Sequence, residues 1–267
     1  MLTDEERRER NRVAWRVWRA RNLERDRARC RARTARVKRS PHTAAKMIMQ
    51  SQTRRLKVSQ SPRHESQLGI EDVIEIIQRP CAYCGFVDPT GLCNGIDRVD
   101  NELPYTVANI APCCAMCNVL KGTLRVDEFK KLTSTIASVE HSQFPRTVGG
   151  IGYNTRPACF SGIRRGAARR GLAFEITRDE WRAITELPCM YCNRPNRDKG
   201  LDRLNNNVGY TSDNVTSACG RCNMARKTFP VTMFLDRCAA IAAHTHGIKG
   251  CVLLPQSAPN FNEFVRK

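Results

Sequence analysis

The sequence predicts an α+β fold: two tandem zinc-stapled modules with flanking helices, behind a basic N-terminal helical arm. Two observations predict it. One cysteine constellation occurs twice, first as Cys81-Ala82-Tyr83-Cys84 with Cys114-Ala115-Met116-Cys117-Asn118, then as Cys189-Met190-Tyr191-Cys192 with Cys219-Gly220-Arg221-Cys222-Asn223. The stretches 95–137 and 200–242 also align without a gap, so that Asp97 matches Asp202, Arg98 Arg203, Asn101 Asn206, Tyr105 Tyr210, Asn109 Asn214 and Phe129 Phe234. A long period of self-similarity marks a repeated structural unit.

Along the chain, residues 1–41 form the arm. Positions 1–40 hold 15 Lys or Arg against 6 Asp or Glu, and Val13, Trp15, Val17, Trp18 and Leu23 give a thin apolar stripe. That pattern predicts a long basic helix ordered on a polyanion. The first module covers 42–142. It opens on a basic helical segment at 44–57 and a short strand-like stretch at 56–59, then an insertion rich in Ser, Pro and His up to Gln67. A short helix over 69–79 follows and stops before Pro80, since the residue ahead of a proline is driven out of the helical region. Residues 143–157, with Pro145, Gly149, Gly150, Gly152 and Pro157, read as the linker. The second module covers 158–247, with a basic helix at 161–170, a strand-like stretch at 172–176 and a helix at 178–187 capped by Thr177. Residues 248–267 form a C-terminal tail.

Between the knuckles of each module the expected order is strand, loop, strand, helix. Residues 95–99 alternate as a strand, 107–111 supply the second, and Cys117-Asn118 open the helix. A last helix follows near 126–139 and 231–243. Tyr83 and Tyr191 are expected to pack inside the knuckles, and Asn109 and Asn214 to hold the loop through backbone hydrogen bonds. Lys121, Arg226 and Lys227 are expected to face phosphate or solvent. Arg164, Arg165, Arg169 and Arg170 form a basic helical face for backbone contact.

A two-residue gap lets both thiolates of a knuckle reach one ion, and zinc takes four ligands in a tetrahedron. Cys81, Cys84, Cys114 and Cys117 form one tetrad; Cys189, Cys192, Cys219 and Cys222 form the other. Four cysteines leave no open position, so both zinc ions are structural. Cys30, Cys93, Cys113, Cys159, Cys238 and Cys251 remain as ordinary thiols. Fourteen cysteines without a secretory signal point to a reducing, intracellular compartment. A net charge of +19 points to nucleic acid. No apolar run approaches the roughly 18 residues needed to span a bilayer, so no membrane partner is expected.

Each Asp at the end of a first strand, with an Asn near a helix start, can converge on one hard cation, because carboxylate and amide oxygens suit magnesium. The helix start also favours a nearby phosphate. With CxxC, Asp and CxxC-Asn in that order, the chain resembles the HNH, or ββα-metal, nucleases. The likeness is nearest to the zinc-stapled recombination endonuclease VII branch and to related phage and large-virus proteins. It covers about forty residues of each copy.

The resemblance implies that Asp97 with Asn118, and Asp202 with Asn223, bind a catalytic Mg²⁺ or similar ion. The family's general-base histidine follows the Asp directly, and here Arg98 and Arg203 stand at that place. Arginine stays protonated, so it would clamp a phosphate or stabilise transition-state charge. Asp100 is a candidate base in the first copy, where the second has Asn205.

The implied function is a metal-dependent endonuclease hydrolysing phosphodiester bonds in DNA, with Asp97, Arg98, Asn118, Asp202, Arg203 and Asn223 as catalytic residues. Such a protein would be phage- or virus-encoded, prefer DNA to RNA, and act through its tandem modules as an intramolecular pseudo-dimer. The alternative is a non-catalytic zinc-stabilised DNA- or RNA-binding protein, a component of a nucleoprotein particle.

Overall fold

The computed structural model describes residues 40–139 and 158–245, with a few isolated helical positions ahead of them. The predicted linker at 143–157, the tail at 248–267, Cys30, Cys251 and nearly all of the arm lie outside the described residues.

Both modules run through the same series. In the first, helix α1 (Pro41–Ser59) leads through a 3-10 turn (Pro62–His64) to α2 (Ile70–Ile77), the first knuckle and strand β1 (Gly95–Arg98). A second 3-10 turn (Val107–Asn109), strand β2 (Ile110–Cys113), α3 (Ala115–Lys121) and α4 (Val126–Ala137) complete it. The second module has α5 (Phe160–Arg169), α6 (Arg178–Glu186), β3 (Leu201–Arg203), β4 (Val215–Ser217), α7 (Gly220–Arg226) and α8 (Val231–Thr245).

Local sequence sets the boundaries. The Ser40 hydroxyl accepts from the Thr43 amide, with Pro41 in the first turn where no amide is missed. Thr177 and Glu180 satisfy each other's amides in a reciprocal capping box at the start of α6. That helix stops at Glu186, and Leu187 is extended ahead of Pro188.

Each pair of strands forms a two-stranded antiparallel sheet, with Asp97 opposite Ala111 and Asp202 opposite Thr216. The connecting loops are tied by one side chain each. Asn109 accepts from the Asp100 amide and donates to the carbonyls of Asp100 and Pro104; Asn214 does the same with Asn205 and Gly209.

Two expectations about strands fail. Residues 56–59 are the last turn of α1, closed by the Gln60 amide on the Leu56 carbonyl, and Val58 is 83% exposed. Among the described residues no strand pairs with this stretch, and the helix continues. The extended segment comes later, at Ser66, which bridges Tyr105 as Phe174 bridges Tyr210. The second strand begins at Ile110, because 107–109 wind into a 3-10 turn that presents Asn109 to the loop.

Among the described residues, three apolar clusters hold the chain together. One lies under α1, with Ala45, Val73 and Ile77 fully buried. A second lies under α5, around Ala167, Ile176, Tyr210 and Phe174. The third belongs to both modules: Phe129, Leu132 and Ile136 of α4 join Phe234, Cys238 and Ile241 of α8, together with both sets of knuckle cysteines. Helices α4 and α8 pack along each other and close the two modules into one body.

Candidate metal centres

The two knuckles of each module meet as the spacing requires. Cys81, Cys84, Cys114 and Cys117 bring their sulfurs within 4.8 Å of one another, and so do Cys189, Cys192, Cys219 and Cys222. A tetrahedron with Zn–S arms of about 2.3 Å has edges of about 3.8 Å. Cys84 Sγ lies 3.9 Å from Cys114 Sγ, and Cys192 Sγ 3.8 Å from Cys219 Sγ. The donor set and its size therefore fit zinc in both modules. Cys113 stays outside the first tetrad, with its thiol donating to the Cys114 carbonyl.

Backbone geometry makes the knuckles alike. The Gly85 amide donates to the Cys81 carbonyl and the Asn193 amide to that of Cys189, each at 2.8 Å. Cys114 and Cys219 are the N-caps of α3 and α7. The thiolates thus sit at the positive end of a helix, which favours their charge. The Gly220 amide at the start of α7 is bound by the Asp198 carboxylate at 2.8 Å, so that amide is taken by the protein itself.

Behind each metal centre lies a buried ion pair. Asp97, 5% exposed, accepts from the Tyr83 hydroxyl at 2.6 Å and pairs with Lys121 Nζ at 2.9 Å. The same ammonium donates to the Arg98 carbonyl. In the second module Asp202 accepts from the Tyr191 hydroxyl at 2.6 Å and is held by one edge of the Arg226 guanidinium, with Nη2 2.7 Å from Oδ1 and Nε on Oδ2. Arg226 also donates to the carbonyls of Arg203 and Phe229.

Lys121 and Arg226 are almost completely buried, so the expectation that they face phosphate or solvent is overturned. A cation buried this deeply needs a partner carboxylate, and each has one. Burial, reinforced by the Asp charge, raises the pKa of Tyr83 and Tyr191 well above the usual phenol range, so both stay protonated donors. Burial works against the Arg226 charge, but the hydrogen bonds to Asp202 outweigh it and raise its pKa. The tyrosine rings meanwhile stack edge-on against Phe129 and Phe234.

The other expected site residues have local duties. Asn118 and Asn223 donate to the carbonyls of Ile96 and Leu201, the residues just before each Asp. Arg98 donates to the carbonyls of Arg63 and Leu103 and lies over the Tyr105 ring at 4.8 Å. Arg203 donates to the carbonyls of Asn206 and Val208 and lies over Tyr210. Asp100 accepts from the Glu102 amide within the loop. As folded, each Asp is engaged by a protein cation, and each Arg braces the loop.

Sequence reasoning named Lys121 and Arg226 but not their carboxylate partners. Lys121 and Arg226 occupy equal places three residues past the Asn, a spacing that suits an open site and a closed ion pair alike. His64, which lies outside the knuckles, is brought near Arg98 by the insertion. Partial burial and the nearby charges of Arg98, Arg63 and Arg55 lower its pKa, keeping it neutral.

Two equivalent helices present exposed basic residues and no acidic ones. Lys46, Arg54, Arg55 and Lys57 are exposed on α1, and Arg164, Arg165 and Arg169 on α5. An open groove of about 620 Å³ runs beside α5, lined by Cys159, Gly162, Arg169, Arg170, Tyr210 and Asn223. Among the described residues no helix is long and apolar enough to cross a membrane.

No family model matches the chain, and no solved structure does. The chain is 31% identical over 183 residues to the uncharacterized protein R423 of Acanthamoeba polyphaga mimivirus. The match takes in 67% of this chain and 34% of that protein, so the chain spans about a third of the relative's length. The relative's source, a giant virus, agrees with a virus-encoded origin.

Proposed function

We propose that this chain is a zinc-stapled nucleic-acid-binding protein, built on an HNH-type frame whose catalytic cation has been replaced by the protein's own. The observation that carries this reading is the duplicated buried pair, Asp97 with Lys121 and Asp202 with Arg226. A divalent ion would have to displace a buried ammonium or guanidinium from its carboxylate. That displacement would leave an uncompensated charge in a dry interior. The basic faces of α1 and α5, the groove beside α5 and the net charge of +19 support a polyanionic ligand. Phosphate contacts on such faces position the protein without reading sequence. The zinc ions are structural and act by holding the hairpins against the helices.

A metal-dependent DNA endonuclease is the second reading, confined to the first module. His64, neutral beside Arg98, favours it there, and Lys121 grips Asp97 at one oxygen, Oδ2, where Arg226 grips both oxygens of Asp202.

One pair of assays separates the readings. Supercoiled plasmid is incubated with the full chain and Mg²⁺ or Mn²⁺, and binding to duplex DNA and to RNA is titrated at several salt concentrations. Binding without nicking is expected, weakening steeply with salt in proportion to the phosphates neutralised. Replacing Arg164, Arg165 and Arg169 together by Ala should weaken binding and lower the salt slope. Nicking abolished by His64→Ala or Asp97→Ala would replace the binding reading with the nuclease one. Neither binding nor nicking would sink both.

A further inference from the structure

A zinc ion with four thiolates carries a net charge of −2, and such a centre inside a protein needs nearby donors to balance it. The second centre has one within its own module. Arg194 lies just past the Cys189–Cys192 knuckle, its carbonyl accepting from the Cys189 amide, and the nearby Cys192 sulfur favours its charge against burial. At the equivalent place in the first module stands Phe86, which carries no charge. The first module offers no arginine of its own there.

The missing cation comes from the other module. Arg237 on α8 is 7% exposed, and its Nη1 lies 2.9 Å from Cys84 Sγ and 3.8 Å from Cys114 Sγ. Its guanidinium stacks over the Phe86 ring at 5.2 Å. The aromatic face thus orients the group that replaces the local arginine. The repeat position of Arg237 in the first module is Leu132, a buried core residue of α4. The arrangement is therefore not a duplicated feature; it belongs to this pairing of modules. Further along α8, His244 lies against Gly85, inside the first knuckle turn.

We propose that Arg237 is the outer-sphere partner of the first zinc centre, so that metal retention in the first module depends on docking of the second. The N–H groups of the guanidinium donate to Cys84 and Cys114 and offset the negative charge of the tetrathiolate. The inference rests on the zinc centres and is independent of the nucleic-acid reading.

The test uses the full chain loaded with two equivalents of zinc. Release is followed with a chromophoric chelator, and cadmium-113 resonances of the exchanged protein report the two sites separately. Arg237→Leu should speed release of one equivalent by about 10- to 100-fold and leave the other unchanged. Only one cadmium resonance should shift. Arg194→Leu should do the same to the other equivalent, and the double variant to both. Arg237→Lys, which keeps the charge but not the planar fork, should fall between wild type and Arg237→Leu. Wild-type release from Arg237→Leu would overturn the proposal. So would equal acceleration of both equivalents, whether by unfolding or otherwise, provided Arg237→Lys behaves in the same way.

Discussion

At the scale of single residues, the decisive feature is charge held away from water. Lys121 and Asp97, like Arg226 and Asp202, are each more than nine-tenths buried. Removing one partner of such a pair strands the other. Lys121→Met should therefore cost about 3–5 kcal/mol in chemical unfolding. The double variant Asp97→Asn with Lys121→Met leaves no lone charge and should recover much of that loss. Equal stability of the single and double variants would show that the pair contributes no coupling. None of this pairing was legible in the sequence. Asp, Asn and a following Lys or Arg suit both an open catalytic site and a closed ion pair. Only the packing of α3 against β1, which sends the Lys121 ammonium under the strand to the Asp97 carboxylate, distinguishes them. The cysteine tetrads were legible to the residue, because a CxxC pair carries its geometry in its spacing.

At the scale of elements, the two modules use equal conformations with unequal residues. Helix α3 ends at Gly122 with φ 54 and ψ −119, and α7 ends at Lys227 with φ 55 and ψ −121. That region admits glycine freely and penalises a side chain with a Cβ. At this closing turn the backbone strain therefore falls on the second module alone, of order 1–3 kcal/mol. Lys227→Gly should raise the midpoint of chemical unfolding by roughly 1 kcal/mol equivalent, after the entropy glycine returns to the unfolded chain. Gly122→Lys should lower it. A Lys227→Gly variant no more stable than wild type would remove the strain argument. The repeat made Asn109 and Asn214 legible as loop ties, but not the closing turns, where glycine in one copy faces lysine in the other. The misplaced strand at 56–59 came from one β-branched residue, Val58, which ends exposed on a helix whose hydrogen bonds continue past it.

For the whole molecule, the shared cluster decides how the modules behave. Tandem modules joined by a linker could unfold independently if each buried its own core. Here each small cluster under α1 or α5 is local, but the largest one draws Phe129, Leu132 and Ile136 from one module and Phe234, Cys238 and Ile241 from the other. Both metal centres border that cluster, and Arg237 crosses it to reach the first. Cooperativity follows when the apolar surface that stabilises one part is supplied by the other. Denaturant unfolding of the zinc-loaded chain should therefore give one transition, with amides of α2 and of α6 losing hydrogen-exchange protection at the same midpoint. Phe234 is fully buried and stacks on Tyr191, which holds Asp202. Phe234→Ala should lower that single transition by about 3–5 kcal/mol and reduce protection in both modules, though the substitution lies in the second. Two separated transitions, or a Phe234→Ala effect confined to 158–245, would mean that the modules fold as independent units and that the cluster between α4 and α8 only joins them.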